Sequence, residues 1–360
     1  MLFRSVSKKL SLRKRLALEL VRRIKKDTQP DLKVLFWECT LRCNAACRHC
    51  GSDCKATAQS KDMPAADFLR VIDSLKPHVD PHKTFIIFTG GEALVRNDLE
   101  EVGLELNKRE FPWGVVSNGQ LLTPERFQKL KRAGMHSITI SLDGFEEAHN
   151  WMRRIPNGFQ HAVSAIKTII ADNTMAFDVV TCANQRNFDS LNEFKEFLIG
   201  LGLKKWRIFT VFPVGRGAQE PELQLNNRQF TDLMKFIAAT NNEGRIKVNY
   251  GCEGFLGGYE LEVRDHFFDC QAGKKVCSIL ADGSIGACPS IRANYSQGNI
   301  YKDDLWDVWT NRYQVFRDRS WMKTGECADC KMFRYCEGNG FHLRDAEGKL
   351  MFCHYHRLED

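Results

Sequence analysis

The stretch Cys43-Asn44-Ala45-Ala46-Cys47-Arg48-His49-Cys50 spaces three cysteines as Cys-x3-Cys-x2-Cys. Three thiolates on one short loop can each bind one iron of a [4Fe–4S] cube, which leaves the fourth iron without a protein ligand. An open iron can chelate a substrate, whereas a cluster bound by four cysteines transfers electrons only. The spacing therefore predicts a [4Fe–4S] cluster with one open iron, bound by Cys43, Cys47 and Cys50.

Two further cysteines, Cys39 and Cys54, flank this run. Such a group also suits zinc or a cluster closed by four thiolates, and inert core thiols are a third interpretation. Structural zinc favours paired Cys-x2-Cys units, and in this run Cys47 and Cys50 alone form one. A disulfide framework does not suit a chain of this size without a secretory signal. We therefore predict that Cys39 and Cys54 are not ligands of the open cluster.

The composition is that of a soluble globular protein with one large or two medium domains, since the 360 residues are 43% hydrophobic and 27% charged. No stretch is apolar for long enough to predict a membrane span. The 14 cysteines, many in short-spaced groups, predict metal sites in a reducing compartment and hence a cytoplasmic location.

Positive charge is concentrated at the N-terminus. Residues 1–30 contain ten Lys or Arg against Glu19 and Asp27, a balance of +8 in a chain whose net charge is +7. No basic face is implied elsewhere, so we expect no nucleic-acid partner. Charged residues interrupt the apolar ones, which excludes the continuous apolar core of a signal peptide.

The aliphatic residues of this segment follow an approximately helical stripe, formed by Leu10, Leu12, Leu16, Leu18, Leu20, Val21 and Ile24. Two interpretations remain open for this basic, amphipathic segment over residues 1–30. It is a helix packed on the barrel or a solvated extension. Alternatively, residues 1–26 make a peripheral contact with an anionic membrane surface or an acidic partner.

After residue 33, apolar strands alternate with amphipathic helical segments. Strands are predicted over residues 34–38, 85–89, 114–117, 137–142, 177–182 and 207–212. Helices are predicted over residues 64–78, 97–109, 123–133, 158–172, 188–200 and 227–242. This alternation predicts an α/β fold of right-handed βαβ units, and six units suit a partial (β/α)6 TIM-type barrel over residues 31–245. The cysteine loop follows the first strand, at the edge where such barrels place their sites.

Three further strand ends carry polar loops. Gly90-Gly91-Glu92 follows the second strand, where the glycines permit close approach to a ligand or a positive φ, and the carboxylate can bind an ammonium group. A plain βα turn fits the same residues. Ser117-Asn118 ends the third strand and Ser141 the fourth, with Arg153 further along the chain.

Together with the cysteine run, these loops resemble the radical S-adenosylmethionine (SAM) superfamily, whose fold is the partial barrel. The resemblance implies that the open iron binds the amino and carboxylate groups of SAM, and that one electron cleaves the sulfonium to give a 5′-deoxyadenosyl radical. It also implies the SAM contacts: Gly90, Gly91 and Glu92 to the amino group, Ser117 and Asn118 along the pocket, Ser141 to the ribose, Arg153 to the carboxylate, and His49 to adenine.

The C-terminal part, predicted as a separate small domain over residues 246–360, has its own cysteine pattern. Cys270-x12-Gly283-x4-Cys288 is followed by Cys327-x2-Cys330-x5-Cys336 and then by Cys353. This resembles the SPASM domain, which binds auxiliary iron–sulfur clusters in radical SAM maturases.

One position departs from the SPASM pattern, because Gly340 stands where that family has a cysteine. By the resemblance, one auxiliary cluster keeps a complete ligand set, which is Cys327, Cys330, Cys336 and Cys353. For the other cluster Cys270 and Cys288 remain, with Cys252 and Cys277 as replacements, so that cluster is rewired, open or missing. Zinc is the alternative for the group from Cys327 to Cys336.

The two resemblances imply a maturase that modifies a peptide or protein side chain, and the sequence as a whole resembles the rSAM/lipoprotein subfamily encoded beside small lipoproteins. The partners would be a small lipoprotein or precursor peptide and an electron donor such as flavodoxin or ferredoxin. Pro289, where sulfatase maturases have aspartate, disfavours that activity. Two alternatives stay open: a radical SAM enzyme acting on a small molecule such as a tetrapyrrole side chain, and a non-catalytic iron–sulfur or zinc scaffold.

Overall fold

The computed structural model of the chain describes residues 7–27, 29–58, 61–251 and 253–359. The strands are β1 (Val34–Thr40), β2 (Phe85–Gly90), β3 (Trp113–Ser117), β4 (Met135–Ser141), β5 (Ala176–Ala183), β6 (Lys205–Thr210), β7 (Lys247–Tyr250), β8 (Val276–Ile279), β9 (Ser284–Gly286) and β10 (Gly298–Asn299). The α-helices are α1 (Leu12–Asp27), α2 (Ala65–Leu75), α3 (Leu99–Lys108), α4 (Pro124–Arg132), α5 (Glu146–Arg153), α6 (Gly158–Asp172), α7 (Leu191–Gly200), α8 (Asn227–Glu243), α9 (Leu305–Asn311), α10 (Gln314–Arg317), α11 (Phe333–Cys336) and α12 (His354–Arg357).

These strands form one sheet in the order β10-β9-β8-β1-β2-β3-β4-β5-β6-β7. Strands β1 to β7 are parallel, as the alternation of strands and helices predicts. Strand β8 pairs in parallel with β1, with Val34 opposite Val276, and β9 and β10 continue the sheet in antiparallel fashion. The predicted α/β fold with a partial barrel is confirmed.

Strands β1 to β6 correspond to the six predicted strands, with ends displaced by at most two residues. Strand β7 and helix α5 were not predicted; β7 has four residues and α5 eight, which is too short for a clear periodic pattern. Strand β8 belongs to the cysteine-rich region, so the sheet continues across the division predicted between residues 245 and 246. The predicted domain boundaries themselves stay a prediction.

Alternate strand residues face opposite sides of the sheet, and one side packs on the helices. On β1, Leu35 and Trp37 are fully buried, and Trp37 stacks on Phe68 of α2 with ring centroids 4.1 Å apart. Phe36, between them, faces the other side and is partly exposed. The parallel strands β1 to β4 end at one edge of the sheet, so the loops that follow them meet there.

Helix α1 is docked on the C-terminal region. Three ion pairs hold it there: Lys14 with Glu262 at 2.7 Å, Lys25 with Asp269 at 3.2 Å, and Glu19 with Arg334. The prediction of one apolar stripe was wrong, because Leu10 and Leu18 are buried whereas Leu12, Leu16, Leu20 and Ile24 are exposed. Leu10 precedes α1, and at 100° per residue Leu18 lies on the side of the helix opposite to the four exposed residues. None of the described helices is long and apolar enough to cross a membrane.

Candidate active site and metal centres

The three cysteines of the Cys-x3-Cys-x2-Cys run line one cavity, and the loop that carries them follows β1. The remaining lining comes largely from the loops after the next strands and from the cysteine loop itself. It includes each residue predicted to contact SAM: His49, Gly90, Gly91, Glu92, Ser117, Asn118, Ser141 and Arg153. The structure thus brings together residues that are separated by more than one hundred positions in the chain.

These three thiols lie farther apart than the ligands of a single tetrahedral zinc ion would. Tetrahedral zinc with Zn–S bonds of about 2.3 Å would hold its sulfur ligands about 4 Å apart. In the described part of the chain, the one group of three potential ligand atoms within 4.8 Å of one another is Glu326, Cys353 and His356. The sulfur atoms of Cys43, Cys47 and Cys50 are therefore not all within 4.8 Å of one another.

The two glycines after β2 pack against the start of the cysteine loop. A Cβ atom on Gly90 would collide with the carbonyl oxygen of Thr40, and one on Gly91 with that of Arg42. The backbone N–H of Gly91 donates to Thr40 at 2.8 Å, and that of Glu92 donates to Arg42 at 3.0 Å. Gly90 has a φ of 140°, which favours glycine. The close approach that these glycines permit is thus toward the cysteine loop.

Glu92 places a buried carboxylate in the cavity, with 2% of the residue exposed. It accepts hydrogen bonds from the Ser117 hydroxyl at 2.8 Å and from the backbone N–H groups of Asn118 at 2.7 Å and Leu94 at 3.1 Å. All three donors are neutral, and burial raises the pKa of this carboxyl above its usual range. A buried carboxylate with neutral donors suits a cationic ligand such as an ammonium group.

Arg153 connects an acidic residue to one of the cluster thiols. Its Nε donates to Oδ2 of Asp143 at 2.7 Å, and its Nη1 lies 3.8 Å from Sγ of Cys47. Burial acts to raise the pKa of Asp143, but the charge of Arg153 and other neighbours outweighs burial and holds that pKa at about 2. Asp143 therefore orients Arg153, and a ligand carboxylate would share the guanidinium with Asp143.

His49 supplies an unpartnered polar atom, since its Nδ1 is buried and has no hydrogen-bond partner among the described residues. Burial lowers the pKa of His49 to about 4, so the imidazole is neutral near pH 7. A buried atom of this kind fits a site that a ligand completes.

Asn118 connects two loops of the cavity, because its Nδ2 donates to Oδ1 of Asn44 in the cysteine loop at 2.8 Å.

Arg216, in the loop after β6, clamps the cysteine loop. Its Nε donates to the carbonyl oxygen of Cys47 at 2.7 Å, and both terminal nitrogens donate to that of Cys54 at 3.1 Å. Its backbone N–H donates to the carbonyl oxygen of Cys50 at 3.0 Å, and Nη1 reaches Oδ1 of Asp53 at 2.6 Å. This role was not predicted from the sequence, where the one available signal was the position of Arg216 shortly after a predicted strand.

Cys54 is a fourth thiol in the cavity, which the spacing did not indicate. Its thiol donates to the carbonyl oxygen of Ser52 at 3.8 Å, and the neighbouring Cys54 lowers the pKa of the Cys50 thiol. Cys39 differs, because it is fully buried and its thiol lies 3.3 Å from the carbonyl oxygen of Thr89. That neither residue is a cluster ligand stays a prediction.

A second cavity collects four cysteines of the C-terminal region. Cys327, Cys330, Cys336 and Cys353 line it, together with Phe255, Met332, Phe333 and Tyr355. Nδ2 of Asn339 lies 3.4 Å from Sγ of Cys353, and Nη2 of Arg344 lies 3.6 Å from Sγ of Cys327. Donors aimed at sulfur fit thiolates that carry negative charge, as they do in an iron–sulfur cluster.

The residues predicted for the other auxiliary cluster are placed differently. The Cys277 thiol is fully buried, lies 3.0 Å from the Tyr313 hydroxyl, and has its pKa raised by burial to about 12. A Cβ atom on Gly340 would lie 2.5 Å from the Glu253 carbonyl oxygen and from the His342 ring, so a cysteine there would displace its neighbours. Cys270 is buried and Cys288 partly buried in the main core, and Cys252 lies outside the described residues.

The sequence model of the radical SAM superfamily matches residues 37–198, and that of the SPASM iron–sulfur cluster-binding domain matches residues 270–331. The chain belongs to the radical SAM superfamily and carries a SPASM domain. A [4Fe–4S] cluster and SAM are therefore its cofactors, together with auxiliary iron–sulfur clusters. The assignment favours an enzyme over a non-catalytic scaffold.

Two relatives of this radical SAM protein have names that describe different activities. It is 25% identical over 328 residues to an AdoMet-dependent heme synthase of Methanosarcina barkeri, covering 85% of this chain and 90% of the relative. It is 28% identical over 314 residues to the mycofactocin maturase MftC of Mycolicibacterium smegmatis, covering 84% of this chain and 76% of the relative.

Two solved structures share the fold. The structure of anSMEcpe with bound AdoMet and the Cp18Cys peptide has a TM-score of 0.71 at 20% identity, covering 91% of this chain and 94% of that one. Streptococcus suis SuiB bound to S-adenosylmethionine has a TM-score of 0.70 at 16% identity, covering 91% and 77%. The partial barrel and the C-terminal region thus occur together in other proteins.

Proposed function

We propose that this radical SAM enzyme cleaves SAM reductively and uses the resulting radical to modify a peptide or protein side chain. The observation that carries the proposal is a single cavity in which three thiols lie beside the buried carboxylate of Glu92 and the guanidinium of Arg153. When bound, the cluster and SAM supply a 5′-deoxyadenosyl radical that abstracts hydrogen. The chain supplies binding, orientation and exclusion of water.

Each group of SAM finds a suitable partner among the cavity residues. Cys43, Cys47 and Cys50 would bind the cluster and leave one iron open to the amino acid part of SAM. Glu92 suits the ammonium group because its present donors are neutral. Arg153 suits the carboxylate, and the Ser141 hydroxyl and the His49 ring would contact the ribose and adenine.

The C-terminal cavity would hold an auxiliary cluster on Cys327, Cys330, Cys336 and Cys353. With four cysteine ligands no iron is open, so this cluster suits electron transfer rather than SAM cleavage. Burial raises the pKa of Cys336 to about 12 and that of Cys353 to about 11 when no metal is present. Metal binding would therefore release protons from these thiols and stabilise the fold of this region.

A peptide substrate is supported by the 28% identity to a mycofactocin maturase. A small lipoprotein or a precursor peptide would be of this class, with reducing electrons from a flavodoxin- or ferredoxin-like donor. The second candidate substrate is a tetrapyrrole, supported by the 25% identity to an AdoMet-dependent heme synthase over 90% of its length. A further relative, 24% identical over 350 residues, is named Fe-coproporphyrin III synthase.

One experiment distinguishes between a peptide and a tetrapyrrole as the substrate. Reduced, cluster-loaded enzyme is incubated with SAM and either Fe-coproporphyrin III or peptides translated from the reading frames that neighbour its gene. We expect a mass change in a peptide, together with 5′-deoxyadenosine. A mass change in the tetrapyrrole alone would replace the peptide proposal with the second candidate. No 5′-deoxyadenosine under any condition would contradict reductive SAM cleavage.

A further inference from the structure

We propose that the exposed face of α1 docks the enzyme on an anionic bilayer surface. This face, called the α1 ridge, consists of Leu12, Leu16, Leu20 and Ile24, whose exposed fractions are 74%, 64%, 60% and 58%. At 100° per residue, a spacing of four residues turns by 40°, so the four side chains fall within a sector of about 120°. Among the described residues, the other large hydrophobics exposed on the surface are Leu104, Leu261 and Tyr301, none of which belongs to α1.

The opposite side of α1 is fixed to the protein, so the ridge keeps a defined orientation. Leu18 is 4% exposed within the main core, and Lys14 pairs with Glu262 at 2.7 Å. Lys25 pairs with Asp269 near the other end of the helix. A helix that only packed against the protein would turn all its leucines inward. In α1, Leu18 is buried but the four residues of the α1 ridge are exposed.

The charge of the exposed face selects an anionic surface. The exposed charged side chains of the described part of α1 are Arg13, Arg15 and Arg23, and all three are cationic. The helix also contains Glu19, whose carboxylate forms ion pairs with Arg22 and Arg334 and a longer one, at 3.7 Å, with Arg23; the Arg23 side chain is still 74% exposed. Long arginine side chains can extend to lipid phosphates while their neighbours contact the acyl region.

The shape of the ridge favours a bilayer over a folded protein partner. Helix α1 has 16 residues, about 24 Å at 1.5 Å per residue, and its ridge is convex with aliphatic side chains only. Protein interfaces enrich aromatic anchor residues at their centres, and none is present on this ridge. A fluid bilayer accepts a convex aliphatic ridge without a complementary groove. This inference is independent of the substrate proposed above.

The test uses cluster-loaded, full-length protein and co-sedimentation with vesicles, either phosphatidylglycerol mixed with phosphatidylcholine or phosphatidylcholine alone. We expect binding to the anionic vesicles that weakens at high salt. The Leu16→Ser/Leu20→Ser variant should bind at least tenfold more weakly. The Arg13→Gln/Arg15→Gln/Arg23→Gln variant should lose about a hundredfold at low salt. Point variants are used instead of a deletion of α1, because the deletion would expose the surface against which Leu18 packs.

A matched control is the Leu104→Ser/Leu261→Ser variant, which removes two exposed leucines outside the ridge and should bind as wild type does. SAM cleavage should be unchanged in every variant, which separates docking from catalysis. Equal vesicle binding by the ridge variant and wild type would overturn the proposal. So would self-association that the ridge variant abolishes without any vesicle binding, because the ridge would then join two copies of the chain.

Discussion

The guanidinium of Arg344 lies 3.6 Å from the Cys327 thiol, measured from Nη2 to Sγ, and 2% of Arg344 is exposed. Its other bonds go to the carbonyl oxygens of Met322, Gly338 and Gly348. None of these acceptors carries a negative charge. A buried cation requires compensation, and thiolates bound to an auxiliary cluster would supply it.

We expect Arg344 to raise the reduction potential of the auxiliary cluster, because a nearby positive charge stabilises the more negative, reduced form. Arg344→Gln should lower that potential by about 60 mV, which corresponds to about 1.4 kcal/mol for one electron. Arg344→Lys keeps the charge and should lower it less. A redox titration followed by paramagnetic resonance measures both. Equal potentials in the wild type and the Gln variant would show that the guanidinium does not act on the cluster.

Replacing Glu92 should weaken SAM binding without loss of iron. Glu92→Gln removes the negative charge that faces the ammonium group, and hydrogen bonds to charged groups contribute about 1.5 to 3 kcal/mol. We therefore expect SAM affinity to fall at least about tenfold. The measurement is the change that added SAM makes in the spectrum of the reduced cluster, with iron content as the internal control. Unchanged affinity would mean that Glu92 does not contact SAM.

Arg216→Lys should loosen the cysteine loop. Lysine keeps the charge but cannot reproduce the fork that binds the carbonyl oxygens of Cys47 and Cys54 together. We expect the SAM-dependent spectrum to be lost several times faster in the presence of an iron chelator, while the auxiliary cluster is retained. Arg207→Lys is the control, since Arg207 pairs with Asp178 at 3.0 Å, away from the loop. Equal rates of loss in the two variants would contradict the clamp.

Cys277→Val should leave the iron content unchanged. The Cys277 thiol contacts the Tyr313 hydroxyl in the core and lines neither of the two cysteine cavities described above. Iron analysis of anaerobically prepared protein tests this, with Cys330→Ala as the comparison that should lose iron. A loss of about four irons in the Val variant would make Cys277 a ligand of another auxiliary cluster.

Much of the fold follows from local patterns. Strands β1 to β6 are short apolar runs that alternate with amphipathic helical segments. Each of these patterns can be recognised within a short window of sequence. The polar loops were also visible, because Glu92, Ser117 and Ser141 each lie at or just after a strand end. Their meeting in one cavity then follows from the geometry of a parallel sheet.

The features that were missed depend on contacts between distant segments. The pairing of β8 with β1 joins residues about 240 positions apart, and no periodic pattern encodes such a partner. Arg216 acts on a loop that lies 169 positions away at Cys47, through carbonyl oxygens that any residue carries. Arg344 binds carbonyl oxygens at most 22 positions away, but these lie in irregular segments without a periodic pattern. The sequence of α1 alone does not indicate which of its leucines are buried. That depends on the surface around Glu262 on which the helix packs.

Release of 5′-deoxyadenosine tests the central claim most directly. Anaerobically reconstituted protein is reduced with dithionite in the presence of SAM, and wild type is compared with the Cys43→Ala/Cys47→Ala/Cys50→Ala variant. We expect release by the wild type alone, while the variant still binds about four irons, the content of one cube, on its C-terminal cysteines. Release by the variant at the rate of wild type would contradict the assignment of these three cysteines to the SAM-binding cluster.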